Sequence, residues 1–599
     1  MLKLLKNLKI KEWGMVLMCT VFIAGQVWLD LKLPGYMAEI TTALSNGTIQ
    51  MSDVWLTGGL MLLCAFGSAL LAIATGFFAA KISAILSMRL RGQVFNKIAG
   101  FGHSEINKFS TASLITRSTN DVSHVQMFIA MGLQVLIKAP IMATWAIITI
   151  LGKSWEWSLA TGVAVAVLLV VIVCLLLFVL PKFKKIQKQT DDVNRVAREN
   201  LNGLRVVRAY NAEQFQSNKF DEVNTNLTKT SQFVDRAFAI MNPVMTLVMN
   251  GLALAIYWIG AFLINGQLAG LASATTEAEI EAVFDGASVL FGDMVVFMTY
   301  AMQVVMSFMM LIMVFIMMPR AMVSARRINE VLNTEVSIKD GDGDINTDLK
   351  GVVEFRNVSF KYPNAEEYVL ENVSFKAAQG QTIAFIGSTG SGKSTLVNLI
   401  PRFFDATEGE VLINGVNVKE YTLDSLYDKI GYISQQAKLF TGTITDNITF
   451  GKVNGKKPTE KDIENALEIS QSKEFVSKLD DKEKSNISQS GANISGGQKQ
   501  RLSIARAIAR NPEIFIFDDT FSALDYKTDK KLRNAIKKQL SSSTCLIVAQ
   551  RIGTIKNADE IIVLEGGKVV GQGKHKDLLE NCKVYQEIAL SQLSQEELE

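Results

Sequence analysis

Acidic and basic side chains almost cancel in this sequence, 58 against 61, leaving a net charge of +3. So small an excess excludes a general attraction to nucleic acid, which needs a strongly positive surface. Cysteine is scarce: Cys19, Cys64, Cys174, Cys545 and Cys582 lie far apart. Their spacing matches neither a disulfide framework nor a thiolate metal site, so reduced, structural thiols are expected. Histidine is scarcer still, with only His103, His124 and His575. His575, in the run Gly573-Lys-His-Lys-Asp577, reads as a surface residue. Charge is also missing from whole stretches: Ser158 to Pro181 holds no Asp, Glu, Lys or Arg.

A chain of 599 residues is too long for one core. Its apolar share of 49% stands beside 58 acidic and 61 basic residues, so apolar and charged residues must be segregated into a membrane part and a soluble part. A spanning helix needs about 20 mostly apolar residues. Six stretches qualify, at about 14–34, 54–80, 127–151, 158–181, 238–265 and 287–318. The fourth is expected to stop at Pro181 and the basic run Lys182, Lys184, Lys185. The N-terminal run MLKLLKNLKIKEW is basic with no small-residue cleavage site after it, so it reads as a lead-in to the first helix rather than a secretory signal.

Lys and Arg are retained on the cytosolic side of a membrane. They cluster before helix one (Lys3, Lys6, Lys9, Lys11), after helix two (Lys81, Arg89, Arg91, Lys97, Lys108, Arg117) and after helix four (Lys182 to Arg208). The loops at about 36–53 and 266–286 have none, and the second carries Glu277, Glu279, Glu281 and Asp285. The expected topology puts both termini in the cytosol. The long connections after helices two and four are expected to continue those helices outward as amphipathic rods.

Composition changes near Arg326, and Lys339-Asp-Gly-Asp-Gly-Asp344 reads as a polar linker. Three regions are expected: a membrane domain at 1–325, a linker at 326–350 and a soluble α/β domain at 351–599. In the last, Val353, Phe355, Val358 and Phe360 read as strand, Ile383–Ile386 as a buried strand, and Ile413-Asn414-Gly415 as a hairpin turn.

Gly387-Ser388-Thr389-Gly390-Ser391-Gly392-Lys393-Ser394 fits the phosphate-binding loop, and it follows a strand and opens a helix near Thr395, as that pattern requires. Glycines let backbone N–H groups curl round phosphates, Lys393 adds positive charge, and the Ser394 hydroxyl suits Mg²⁺. Ile514-Phe-Ile-Phe-Asp518 is an apolar strand ending in a carboxylate, the form that supports Mg²⁺ beside such a loop. Together they point to a Mg-ATP site.

Ile494-Ser495-Gly496-Gly497-Gln498-Lys-Gln-Arg501 resembles the signature of ATP-binding cassette proteins. The resemblance extends to Tyr362, similar to the aromatic that stacks on adenine, to Gln435 in Ile433-Ser-Gln435, similar to the Q-loop, and to Asp525 in Ser522-Ala-Leu-Asp525, similar to the D-loop. In the membrane half, Leu114–Asp121 and Glu199–Asn211 look like the cytosolic coupling regions of exporters. The resemblance implies a six-helix, all-α membrane domain fused to an α/β phosphate-loop cassette, with ATP and Mg²⁺ as cofactors. It makes Ser394, Gln435 and Asp518 the metal residues. It also implies a dimer in which each ATP lies between the phosphate loop of one cassette and the signature of the other. Membrane helices fused ahead of the cassette imply export, and no peptidase domain is expected before helix one.

Two positions depart from the family. Asp519 stands where the family normally has a Glu that orients the attacking water, and Gln550, in Val548-Ala-Gln550-Arg551, stands where it normally has a switch His. Retracting a carboxylate by about 1 Å lowers rates by about 10²-fold, unless the backbone adjusts to restore reach. Gln cannot become cationic near neutral pH. Ile494 and Gln489 also differ from common family residues, Leu and Glu. The pattern resembles heterodimeric exporters of hydrophobic compounds, in which this chain's own site is slow and its signature serves a different, homologous chain. A lipid or peptide cargo and a mainly regulatory ATP-binding role are the alternatives. Met294, Met298, Met302, Met306 and Met310 form a stripe on helix six that suits promiscuous apolar cargo and equally suits lipid contact or helix packing. Gln303 and Asn250 are polar residues at membrane depth, and Asp293 sits near the outer end of helix six.

Overall fold

The computed structural model describes residues 6, 8–45, 50–151, 155–272, 274, 276–341, 343, 347–363, 365–451 and 455–593. Lys3 and the linker residues Asp342 and Asp344 lie outside the described residues. The chain divides into two compact units, one of Met1–Ile98 with Ala112–Asn333, the other of Ala99–Thr111 with Thr334–Glu599.

Six helices of the first unit carry the apolar runs: α1 (Ile10–Ser45), α2 (Met51–Ala99), α3 (Asn120–Leu151), α4 (Trp155–Asn202), α5 (Met241–Leu268) and α6 (Glu277–Asn333). Each is long and apolar enough to cross a membrane. With 49 and 48 residues, α2 and α4 reach about 70 Å at about 1.5 Å per residue, more than twice the hydrocarbon thickness of about 30 Å. The charge-free run of α4 ends at Pro181, and the helix itself continues through the proline to Asn202, in keeping with the expected outward extension. The continuation is held by the helix Glu213–Ala239: Gln189 Nε2 donates to Asn226 O at 3.1 Å, Lys219 meets Glu199 at 2.8 Å, and the rings of Phe183 and Phe238 are 6.3 Å apart.

The acidic segment, expected as an outer loop to 286, is helical from Glu277. Carboxylates are favoured at a helix N-terminus, where the backbone dipole is positive. At its other end α6 passes the expected domain boundary at 325 and continues to Asn333. Ala325, Ile328 and Val331, at spacings of three residues, remain fully buried and keep that extension packed. The Leu114–Asp121 region also meets it: Arg117 donates to Arg327 O at 2.7 Å and pairs with Glu330 at 2.8 Å, while Ser324 Oγ donates to the buried Asp121 Oδ1 at 2.7 Å. In the membrane core Trp157 Nε1 donates to Ile256 O at 3.1 Å, its ring 5.3 Å from that of Phe297. Met294 is core, with its sulfur against Gly260, whereas Met306 and Met310 are exposed.

The second unit holds two main sheets. The first has the order β2-β1-β4-β5, from β1 (Val353–Phe360), β2 (Leu370–Ala377), β4 (Glu408–Ile413) and β5 (Val416–Asn417). The second has the order β12-β11-β3-β10-β9-β6, from β3 (Thr382–Gly387), β6 (Ile430–Ile433), β9 (Ile514–Asp518), β10 (Thr544–Val548), β11 (Glu560–Glu565) and β12 (Lys568–Gly573). Its five pairings are parallel except β11 with β12, and a small antiparallel pair joins β7 (Gly442–Thr443) to β8 (Asn486–Ile487). Parallel strands covered on both faces are apolar along their length, which is why Ile383–Ile386 and Ile514–Phe517 are fully buried. Asn414 and Gly415, at φ +54° and +81°, turn β4 into β5 as their pairing predicts.

His575 is not on the surface. Its Nδ1 is 2.7 Å from the hydroxyl of the buried Tyr585, because the helices His575–Asn581 and Lys583–Leu590 fold back on each other. The segment 99–111, expected within the membrane domain, folds with this unit: the His103 ring lies 4.9 Å from Phe403, and Glu105 Oε1 accepts from Ser337 N at 3.1 Å.

Candidate active site

β3 ends at Gly387 and helix α7 (Lys393–Leu399) begins six residues on. Between them Gly390 and Gly392 take φ +84° and +92°, a left-handed backbone that glycine adopts without a Cβ penalty. A Cβ on Gly392 would lie 2.8 Å from Leu370 Cδ2 and 2.9 Å from Val369 O. Gly392→Ala is therefore expected to strain the loop by about 1–3 kcal/mol and to weaken ATP retention by about tenfold or more. A nucleotide-binding titration measures it, and an unchanged affinity would count against the loop as the phosphate cradle.

The buried Lys393 donates to Gly387 O at 2.9 Å, Ser388 O at 2.7 Å and Ser391 Oγ at 3.2 Å. Burial lowers its pKa, and the nearby Asp519 and Asp518 oppose that shift. Ser394 Oγ donates to Asp518 Oδ1 at 2.7 Å. Octahedral Mg²⁺ with oxygens at about 2.0–2.1 Å sets neighbouring ligands about 3 Å apart, so this pair fits the ion. Tyr432 OH holds the other Asp518 oxygen at 3.3 Å and Asn398 Oδ1 at 3.0 Å. Sequence reasoning missed Tyr432; its one signal was an aromatic near the end of an apolar strand.

Asp519 sits at φ +47°, uncommon for a residue with a Cβ, and its N–H donates to Val548 O at 3.1 Å. One carboxylate oxygen, Oδ2, accepts from both Gln435 Nε2 at 3.0 Å and Gln550 Nε2 at 2.8 Å. Strand order explains the convergence. β9 lies between β10 and β6, so Gln550 leaves one flank and Gln435 the other. Gln435 thus points its amide nitrogen at Asp519, rather than at Ser394 and Asp518 with which it was grouped as a metal residue. Burial raises the pKa of both Asp518 and Asp519.

Tyr362 hydrogen-bonds Thr395 Oγ1 at 2.9 Å and meets the rings of Phe360 and Phe404 edge-on at 5.0 and 5.3 Å. Ser388 and Thr389 lie in the loop between β3 and α7, and Ser391 is held by Lys393. The signature residues lie elsewhere, at the start of helix α8 (Gly496–Ile508). There Ser495 N donates to Gln498 Oε1 at 2.9 Å and Gln498 N to Ser495 Oγ at 3.3 Å, a capping box that satisfies two helix-end donors. A Cβ on Gly497 would lie 3.6 Å from Ala523 O. Asp525 caps helix α9 (Tyr526–Gln539), accepting from Thr528 N at 2.9 Å, and that bond holds its carboxyl below the usual range.

A family model for the ABC transporter matches residues 370–522, and one for the ABC transporter transmembrane region matches residues 16–276. An uncharacterized ABC transporter ATP-binding protein of Mycobacterium tuberculosis is 37% identical over 571 residues, covering 94% of this chain and 93% of its own. An ATP-dependent lipid A-core flippase of Pseudomonas fluorescens is 33% identical, over 84% of this chain and 80% of its own. The solved structure of a bacterial Atm1-family ABC exporter with ATP bound shares the fold at a TM-score of 0.75, with 22% identity and 96% of both chains covered. The chain belongs to the ABC transporter family and is an exporter half-transporter, a membrane domain joined to an ATP-binding cassette whose ATPase is coupled to transport.

Proposed function

We propose that this chain is the slow-site half of a heterodimeric exporter of hydrophobic compounds, placed in the cell membrane with both termini in the cytoplasm. The single observation that carries this reading is the shared acceptor at Asp519, whose Oδ2 receives both Gln435 and Gln550. A water that uses Oδ2 must compete with two amide donors, and the side chain is one methylene shorter than the family's Glu. Gln550 has no protonated form to offer near neutral pH.

On this reading Gly387 to Thr395 hold the phosphates, with Tyr362 as the adenine platform. Ser394 and Asp518 would hold Mg²⁺, with Gln435, whose amide nitrogen is on Asp519, offering only its amide oxygen; the ion would neutralise phosphate charge when bound. Ser495 to Gln498 and Asp525 face the partner's ATP across the dimer, and hydrolysis there resets the transporter. Tyr362→Ala is expected to weaken ATP binding by about 1–3 kcal/mol, the usual worth of base stacking on an aromatic; fluorescent-nucleotide titration reads the loss.

The experiment for the whole proposal is reconstitution of this chain alone and with a homologous chain that carries Glu and His at the two altered positions. Drug-stimulated ATPase activity is expected only from the pair. Full drug-stimulated activity from the chain alone, as a homodimer, would sink the heterodimer reading.

A further inference from the structure

Three side chains that the proposed function leaves unused meet where α1, α2 and α3 pack together. Asp30 of α1 accepts from Ser68 Oγ of α2 at 2.5 Å through Oδ1, and from Lys138 Nζ of α3 at 3.4 Å through Oδ2. Lys138 is the one Lys, Arg, Asp or Glu between residues 122 and 151, and residues 13–29 ahead of Asp30 hold none either. Charged side chains inside a membrane are rare and face a bundle interior or a water-filled passage, where they serve function. Close helix packing delivers Ser68 to Asp30: a Cβ on Gly67 would be 3.0 Å from Leu29 Cδ1, and one on Gly25 would be 3.2 Å from Leu71 Cδ1. Lys32, two residues on, leaves from another face, with its Nζ 5.4 Å from the Trp28 ring.

The triad is unevenly satisfied. Asp30 has a hydrogen bond from Ser68, whereas Lys138 has three N–H donors and, among the described residues, one polar partner at a distance beyond the usual range for such bonds. Lys138 and Asp30 each keep about a fifth of the side chain open, 21% and 22%. An incoming anion can therefore pair with Lys138 while Asp30 keeps its hydrogen bond from Ser68. An incoming cation would have to displace both the Ser68 hydroxyl and Lys138 from Asp30.

We propose that Lys138, released from Asp30, is the recognition point for amphipathic anions in the transport passage, so that cargo with an apolar body and one carboxylate or phosphate is preferred over its neutral counterpart. This rests on the proposed export of hydrophobic compounds and narrows it to a charge class. The test uses the full complex in proteoliposomes with three probes: dansylaminoundecanoic acid, its methyl ester, and fluorescently labelled phosphatidylglycerol. The acid is expected to be transported about tenfold faster than the ester. Lys138→Gln should remove that preference, with the ester rate changing less than about twofold. Lys138→Arg should keep the preference, and Asp30→Asn should strengthen acid binding by removing its competitor.

Movement of the labelled lipid with the same Lys138 dependence would assign the anion to a lipid headgroup, and movement of the acid alone would assign it to free amphiphiles; both support the site. Equal transport of acid and ester by the unaltered complex would overturn the anion site while leaving hydrophobic export standing. Equal loss for every probe in Lys138→Gln, with Lys138→Arg failing to rescue, would make the triad a packing element and overturn the proposal. Transport of none of the probes by a complex with active ATPase would overturn the export reading as well.

Discussion

Asp519→Glu combined with Gln550→His is expected to raise ATP turnover at this chain's own site by about 10²-fold, equivalent to about 2.7 kcal/mol of barrier. Asp519→Glu alone is expected to give less than about tenfold. The reason is the geometry around Oδ2, which already accepts from Gln435 at 3.0 Å and Gln550 at 2.8 Å. A longer carboxylate beside an unchanged Gln550 still has an amide competing with water for the same oxygen. Gln550→His removes that donor from its present position and supplies an imidazole that can be protonated near neutral pH. Single-turnover hydrolysis, with the partner's own catalytic Glu disabled, isolates the site. A full gain from Asp519→Glu alone would show that Gln550 takes no part in the slowing.

The second large effect concerns the signature. Gly496→Asp is expected to lower hydrolysis by the assembled transporter by about 10²–10³-fold, the usual loss when a preorganised stabiliser of transition-state charge is removed. Among the described residues nothing lies within 4 Å of the Cβ position at Gly496, so the new side chain has room. An acid in the first turn of α8 is also compatible with the helix dipole. The loss would therefore come from a carboxylate placed against the phosphates of the partner's ATP. ATP retained by this chain's own phosphate loop should persist, since in the proposed dimer that loop uses the other chain's signature. Steady-state ATPase and nucleotide trapping, measured together, separate the two sites. A loss of trapping at both sites would contradict the division of labour between them.

Much of this was legible along the chain. The strand, loop and helix around Lys393 and Ser394 follow from consecutive residues, and the six apolar runs announced six spanning helices, because each of those patterns is a local requirement on neighbouring residues. The continuation of α4 past Pro181 was legible as a long amphipathic connection and is supported by Glu213–Ala239, whereas α6 passes residue 325 because Ile328 and Val331 stay buried. His575 looked solvated because its neighbours in sequence are charged, yet its partner, Tyr585, lies ten residues on in a helix that folds back.

The sequence by itself determined the family and the two-part architecture, and it holds Asp at 519 and Gln at 550. Tertiary structure alone decided that Gln435 and Gln550 converge on one oxygen of Asp519, since 84 and 31 residues of chain separate them from it and only the strand order brings them together. It likewise decided that Asp30, Ser68 and Lys138 meet. Each is an isolated polar residue in its own apolar run, and a hydrogen bond between distant segments depends on which helices pack side by side, which no short window of residues records.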